Sequence, residues 1–260
     1  DSYGKNNGKP VTILSHSYGA LLVHHVLTQV VSNAWKERYI HAWIPMSPAC
    51  GGVTEILQDV VSGDTKTWNP FMRDDMYKET FRSFEASFWM LPSPAMYAND
   101  TLVELHLPGQ NNEGGGSTST RHYSAGDYSE LFLDAGFTDF PFMWQRIQNL
   151  THFSTHARLA DPGVSVFPIF GTGVETVVKY VYHESFDTEP AAITDWSGDG
   201  TIPLKGLTAG NHWNGIHIPL ELVNTTHVGI CWHPDALDYI RQVTRLESTT
   251  GSFSNAGTTK

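Results

Sequence analysis

Val11-Thr12-Ile13-Leu14-Ser15-His16-Ser17-Tyr18-Gly19-Ala20-Leu21-Leu22 is the stretch on which the fold turns. Its first four residues form an apolar, largely β-branched run after Gly8-Lys9-Pro10, and such a run reads as a buried strand. The period then changes. Leu21, Leu22, His25, Val26, Gln29 and Val30 follow helical spacing, so a helix is expected to about Asn33. Between strand and helix stands Ser15-His16-Ser17-Tyr18-Gly19, with Ser15 where a nucleophile elbow has its first glycine. An elbow lifts a serine Oγ above a sheet at a helix N-terminus, and small neighbours let the backbone pass close by. The N–H of the next residue, Tyr18, then faces the place where an oxyanion would develop. Ser17 is therefore the candidate nucleophile.

A serine of this kind needs a base and an acid, which follow it in the chain order Ser, Asp, His on strand-end loops. Ser197-Gly198-Asp199-Gly200-Thr201-Ile202-Pro203-Leu204 offers the acid. Asp199 sits on a glycine-flanked loop, and the flanking glycines are expected to leave room for the ring of the base. Asp195 is the nearest rival and lacks the glycines. For the base, Asn224-Thr225-Thr226-His227-Val228-Gly229 follows an expected strand, Ile216 to Leu222, and precedes an expected helix, Pro234 to Leu246. His217 falls inside that strand and His233 at the helix start, so His227 is the candidate base.

The chain has 260 residues, 40% hydrophobic and 12% aromatic, which suits one globular α/β domain. A net charge of -11 argues against a nucleic-acid backbone as partner and against strong steering to anionic membranes. Cys50 and Cys231 are too few for a disulfide framework or a thiolate zinc site, and no metal or cofactor is called for. Three sequons, at Asn99, Asn149 and Asn224, point to glycosylation and the secretory pathway, whether secreted, lysosomal, vacuolar or in the ER lumen. No apolar run of about 18 residues is present to span a bilayer. The polar opening Asp1 to Pro10 has no signal-peptide character, and upstream sequence is expected to be missing.

Strands are further expected at His41–Met46 and Val164–Phe170, and strands that alternate with helices imply a mostly parallel sheet. From Val53 to Asp161 the alternation is lost. That region is rich in Trp and Phe (Trp68, Phe71, Phe81, Phe84, Phe88, Trp89, Trp144) and holds a glycine-rich insertion, Pro108 to Ser117, with the composition of a mobile loop. The expectation is an α/β-hydrolase fold, N-terminally truncated, with a cap inserted between strands. Residues 1–52 would carry the elbow part of the core, 53–161 the cap, 162–247 the rest of the core and 248–260 a disordered tail.

With the three residues in order, the chain resembles the lecithin:cholesterol acyltransferase family, which includes phospholipid:diacylglycerol acyltransferases and lysosomal phospholipase A. Tyr39 to Ile44 with Gly51-Gly52-Val53 and Ser62-Gly63-Asp64 resembles the segment after the family's elbow helix. Phe88 to Pro94, Arg121 to Tyr128, and Pro162-Gly163-Val164 through Tyr180-Val181-Tyr182 resemble further family segments, so the likeness runs over roughly residues 1 to 245. A generic lipase or esterase would share the triad but lack the last two segments. Cys50 stands where the family usually has a tryptophan, and Tyr18 where it has a smaller Leu or Met. The resemblance implies an enzyme that moves a fatty acyl group from a phospholipid through an acyl-Ser17 intermediate. The acceptor would be a lipid alcohol, a sterol or diacylglycerol, or else water in a phospholipase. It also implies peripheral contact with a membrane or lipid particle.

Overall fold

Two four-stranded sheets organise the chain, whose computed structural model describes residues 2–63, 74–109, 118–151 and 159–245. Trp68, Phe71, most of the glycine-rich insertion and the tail expected at 248–260 lie outside the described residues. The first sheet is parallel throughout, in the order β1 (Val11–His16), β2 (Ile40–Met46), β5 (Ile169–Thr172), β8 (Leu220–Val223). From Ala42 onward every residue of β2 is buried, as a parallel strand covered on both faces requires. Helix α1 (Tyr18–His25) leaves β1 through the elbow and passes into a π-helical turn, Val26–Val30. The helix expected to reach Asn33 therefore stops short. Ser32 accepts a hydrogen bond from the Trp35 N–H at 3.2 Å and starts a separate helix, α2 (Asn33–Tyr39).

Two expected strands are shorter than their apolar runs, and proline is the reason. Val166 and Ile216 make isolated parallel bridges, with Trp43 beside Val166 and Val166 beside Ile216. Pro168 and Pro219 then interrupt the ladder, because neither has an N–H to donate. β5 starts at Ile169 and β8 at Leu220.

The second sheet, in the order β4 (Ser119–Tyr123), β3 (Val103–Leu107), β6 (Val174–His183), β7 (Ala191–Gly198), was not foreseen as a sheet. It takes β3 and β4 from the region expected as cap and β6 and β7 from the region expected as core, so it crosses the boundary placed at residue 161. Its inner face, with Val103, Leu105, Tyr123, Tyr180 and Tyr182, joins one buried cluster with Leu21 of α1 and Phe170 of β5. From the region expected as cap, Phe88, Phe132 and Phe140 join the same cluster, and Phe81, Trp89 and Trp144 pack against it. Phe132 and Phe140 lie 4.4 Å apart between ring centroids, Phe88 lies 5.8 Å from Phe140, and Trp144 stacks on Phe140 at 5.3 Å. Rings at these separations are a packed core. Arg82, buried among them, donates to the carbonyls of Val60, Val61 and Ala135 at 2.8, 3.2 and 3.0 Å and so closes two helix ends. Among the described residues no helix is long and apolar enough to cross a membrane.

Candidate active site

Ser17 follows β1 at φ 54° and ψ −126°, a conformation that L-residues rarely adopt. Neighbouring backbone holds it there. The Ser17 N–H donates to the Met46 carbonyl at 3.0 Å, and its own carbonyl accepts from Ala20 at 3.0 Å and Ala49 at 3.4 Å. Strain of about 1–3 kcal/mol persists at such a residue when its surroundings over-determine it. The turn leaves Tyr18 at the first position of α1, where a backbone N–H has no acceptor within the helix.

Ser15 explains the departure from the glycine of the motif. Its Oγ is buried and accepts the Trp43 Nε1–H at 2.9 Å, tying the elbow strand to the middle of β2. The indole N–H is thereby satisfied inside the core.

The structure brings Ser17, His227 and Asp199 together. Ser17 Oγ lies 2.8 Å from His227 Nε2, and His227 Nδ1 lies 2.8 Å from Asp199 Oδ2. Asp199 is fully buried, and its other oxygen accepts the N–H groups of Thr201 at 3.1 Å and Ile202 at 2.8 Å. A carboxylate accepts only, so Nδ1 carries the imidazole hydrogen and Nε2 is left to accept from the serine hydroxyl. The His227 N–H also donates to the Asp199 carbonyl, at 2.7 Å.

Asp199 follows β7 and therefore comes from the second sheet, which the isolated bridge from Val174 to Asp199 ties to β6. Its flanking glycines sit where the loop packs closely. A Cβ at Gly198 would lie 2.4 Å from the Ile202 carbonyl oxygen and 2.6 Å from Thr176 Oγ1, and Gly200 has φ +91°. They let the loop fold back on itself and against β6. A Cβ at Gly171 of β5 would stand 2.0 Å from the Thr225 carbonyl oxygen, so the His227 loop lies directly on bare backbone.

The rivals stand elsewhere. His217 stacks on Phe167 with centroids 3.9 Å apart, and His233 accepts from the Asp235 N–H at 3.3 Å where the last helix, Pro234–Arg245, begins. Asp195 is exposed and accepts from the N–H and hydroxyl of Ser197 at 2.9 and 2.7 Å. Asn99, Asn149 and Asn224 are all exposed. His16 was inside the motif but given no task, although its Nε2 lies 2.8 Å from the His227 carbonyl oxygen. Burial holds its imidazole below the usual histidine range, against the opposing pull of that hydrogen bond. The region expected as cap reaches the elbow through Trp89, whose ring meets that of Tyr18 edge-on at 5.7 Å. Burial, with the charge of Glu85 second, pushes the Tyr18 phenol up.

A parallel sheet in the order β1-β2-β5-β8, with a strained serine on the turn from its first strand into a helix, is the architecture of the α/β-hydrolase fold. A chain of the Tle4–Tli4 complex shares it with a TM-score of 0.65 at 11% identity, over 94% of this chain and 63% of that one. The chain matches the lecithin:cholesterol acyltransferase family over residues 1–235 and belongs to it. It is 29% identical over 240 residues to the lysosomal phospholipase A and acyltransferase of Mus musculus, covering 91% of this chain and 53% of the relative. It is also 29% identical over 243 residues to the phosphatidylcholine-sterol acyltransferase of Oryctolagus cuniculus, with coverage of 91% and 50%. The chain thus spans about half the length of these relatives.

Proposed function

We propose that the chain carries the acyl-transfer centre of an enzyme that moves a fatty acyl group from a phospholipid to a lipid alcohol. The observation that carries this reading is the unbroken line from Ser17 Oγ through His227 to Asp199, with 2.8 Å at both contacts. In this reading His227 Nε2 takes the hydroxyl proton as Ser17 Oγ attacks the ester carbonyl, and the oxyanion meets the Tyr18 N–H. The C–O bond to the lysophospholipid breaks, and His227 returns the proton to that leaving oxygen. A lipid alcohol, sterol or diacylglycerol, then gives its proton to His227 and attacks acyl-Ser17. The bond from the acyl carbon to Ser17 Oγ then breaks, His227 gives the proton to that oxygen, and the new ester leaves. Asp199 holds the imidazole and balances its charge while the proton is on it.

Water in place of the alcohol turns the same cycle into phospholipid hydrolysis, and the name of the murine relative includes both activities. The reading extends to peripheral contact with a lipid surface and to passage through the secretory pathway, with glycans at the exposed Asn99, Asn149 and Asn224.

Phosphatidylcholine vesicles containing cholesterol or diacylglycerol provide the test, with lysophospholipid, free fatty acid and acyl ester quantified separately. Acyl ester should form with the parent chain, and Ser17→Ala should abolish it while keeping the parent's circular dichroism. Free fatty acid as the sole product would assign the hydrolase instead. Undiminished product from Ser17→Ala would remove the nucleophile from the account.

A further inference from the structure

Beside the nucleophile lies an imidazole with no part in the proton path. His16 is the last residue of β1, and its Nε2 stands 2.8 Å from the backbone oxygen of His227. The two rings are 4.8 Å apart between centroids, tilted by 41°. A carbonyl oxygen only accepts, so His16 Nε2 carries the hydrogen. The other side of the same residue is held as well, since the His227 N–H donates to the Asp199 carbonyl at 2.7 Å. The backbone of His227 is thus fixed by the acid loop through its N–H and by the elbow through its C=O.

Topology makes the second tie matter. Ser17 leaves the end of β1 and His227 follows β8, and the order β1-β2-β5-β8 puts two strands between them. Their relative position therefore depends on groups that reach across the ends of the sheet. His16 supplies such a link from the residue next to the nucleophile. The strand that sets Ser17 also sets the base that activates it, so a shift of β1 carries both partners together.

We propose that His16 is a positioning residue for the reaction, whose Nε2–H holds the His227 carbonyl so that the His227 ring stays within hydrogen-bond reach of Ser17 Oγ. The proposal rests on the reading of Ser17, His227 and Asp199 as nucleophile, base and acid. Among the described residues, the charges of His227 and Asp199 act on His16. A neutral His16 donates the hydrogen bond without adding charge beside the imidazole that must become positive. A permanently charged donor there would oppose that step. The depressed titration of His16, set mainly by its burial, suits the neutral form.

The rate of fluorophosphonate labelling, read with the thermal midpoint of each variant, separates this role from a merely structural one. His16→Gln places a neutral amide N–H near the position of Nε2 and should label within about threefold of the parent. His16→Asn is polar but too short to reach the carbonyl, and His16→Leu cannot donate. Both should slow labelling about 10–100-fold, the cost of displacing a catalytic group by around an ångström. The Asn and Gln pair decides the matter if the Leu variant does not fold. Labelling of the Asn variant as fast as the parent, or of the Gln variant as slow as Asn at an unchanged midpoint, would overturn the proposal and leave the Ser17 reading intact. An unlabelled parent, or a labelled Ser17→Ala, would instead overturn the reading on which it rests.

Discussion

Ser17 stays at φ 54° because its N–H donates to the Met46 carbonyl and its carbonyl accepts from Ala20 and Ala49, and because the strand beneath it is tied sideways. To the backbone ladder between β1 and β2 a side chain adds one more tie. Ser15 Oγ accepts from Trp43, which is wholly buried at the centre of a cluster with Leu27, Cys50 and Trp213. Ser15→Ala removes the acceptor and leaves an indole N–H without its partner, at a cost of about 1–3 kcal/mol. Urea denaturation should show that loss, and an unchanged midpoint would mean that Trp43 finds another acceptor. At this scale much was legible. The pentapeptide marked Ser17 and the expected strand Ile216 to Leu222 marked the His227 loop, each with a strand before it, whereas Asp199 was marked by its flanking glycines and its place in the order Ser, Asp, His. Ser15 and His16 were not legible, since their partners lie 28 and 211 residues away and no local pattern announces them.

Elements position the site through contacts that bare backbone permits. Gly171 lies in β5, paired with Leu222 of β8, and faces the Thr225 carbonyl two residues before His227. Gly171→Ala would put a methyl 2.0 Å from that oxygen, so the loop must move. A displacement of about an ångström costs on the order of a hundredfold in rate, which fluorophosphonate labelling should record. Labelling at the parent's rate would show that the loop absorbs the methyl without moving His227. The same scale shows where reading by pattern stops. Apolar runs at Val164–Phe170 and Ile216–Leu222 marked strands, but Pro168 and Pro219 cut the ladder inside them. The second sheet escaped notice for a different reason. β4 reads Ser-Thr-Arg-His-Tyr and is exposed over all but Tyr123, and β7 carries Asp195 and Gly198, so neither has an apolar strand signature. β6, rich in Val and Tyr from Val174 to His183, did have one; β7 follows it across a short connection, but its other partner, β3, comes from far back in the chain.

Across the whole molecule, buried tyrosines join the second sheet to the core. Burial first, with the hydrogen bond to Asp134 next, pushes the Tyr123 hydroxyl up to about 12. Burial raises Tyr182, beside Ser62, still further. Both values lie above the unfolded value of about 10. The folded state therefore keeps protons that the unfolded chain gives up as pH passes 10. Their contribution is fully present below about pH 10 and lost as pH rises from there toward the folded values. Denaturation midpoints should fall in that window, and in Tyr123→Phe the fall should be smaller. An equal fall in both would place the alkaline sensitivity elsewhere. The central claim, that Ser17 is activated by His227 and Asp199, has a more direct test. A fluorophosphonate probe followed by peptide mass spectrometry should place one label on Ser17. His227→Ala should slow that labelling by about 10³-fold or more, while His217→Ala and His233→Ala label at the parent's rate. A label on another residue, or equal losses in all three variants with the fold intact, would contradict it.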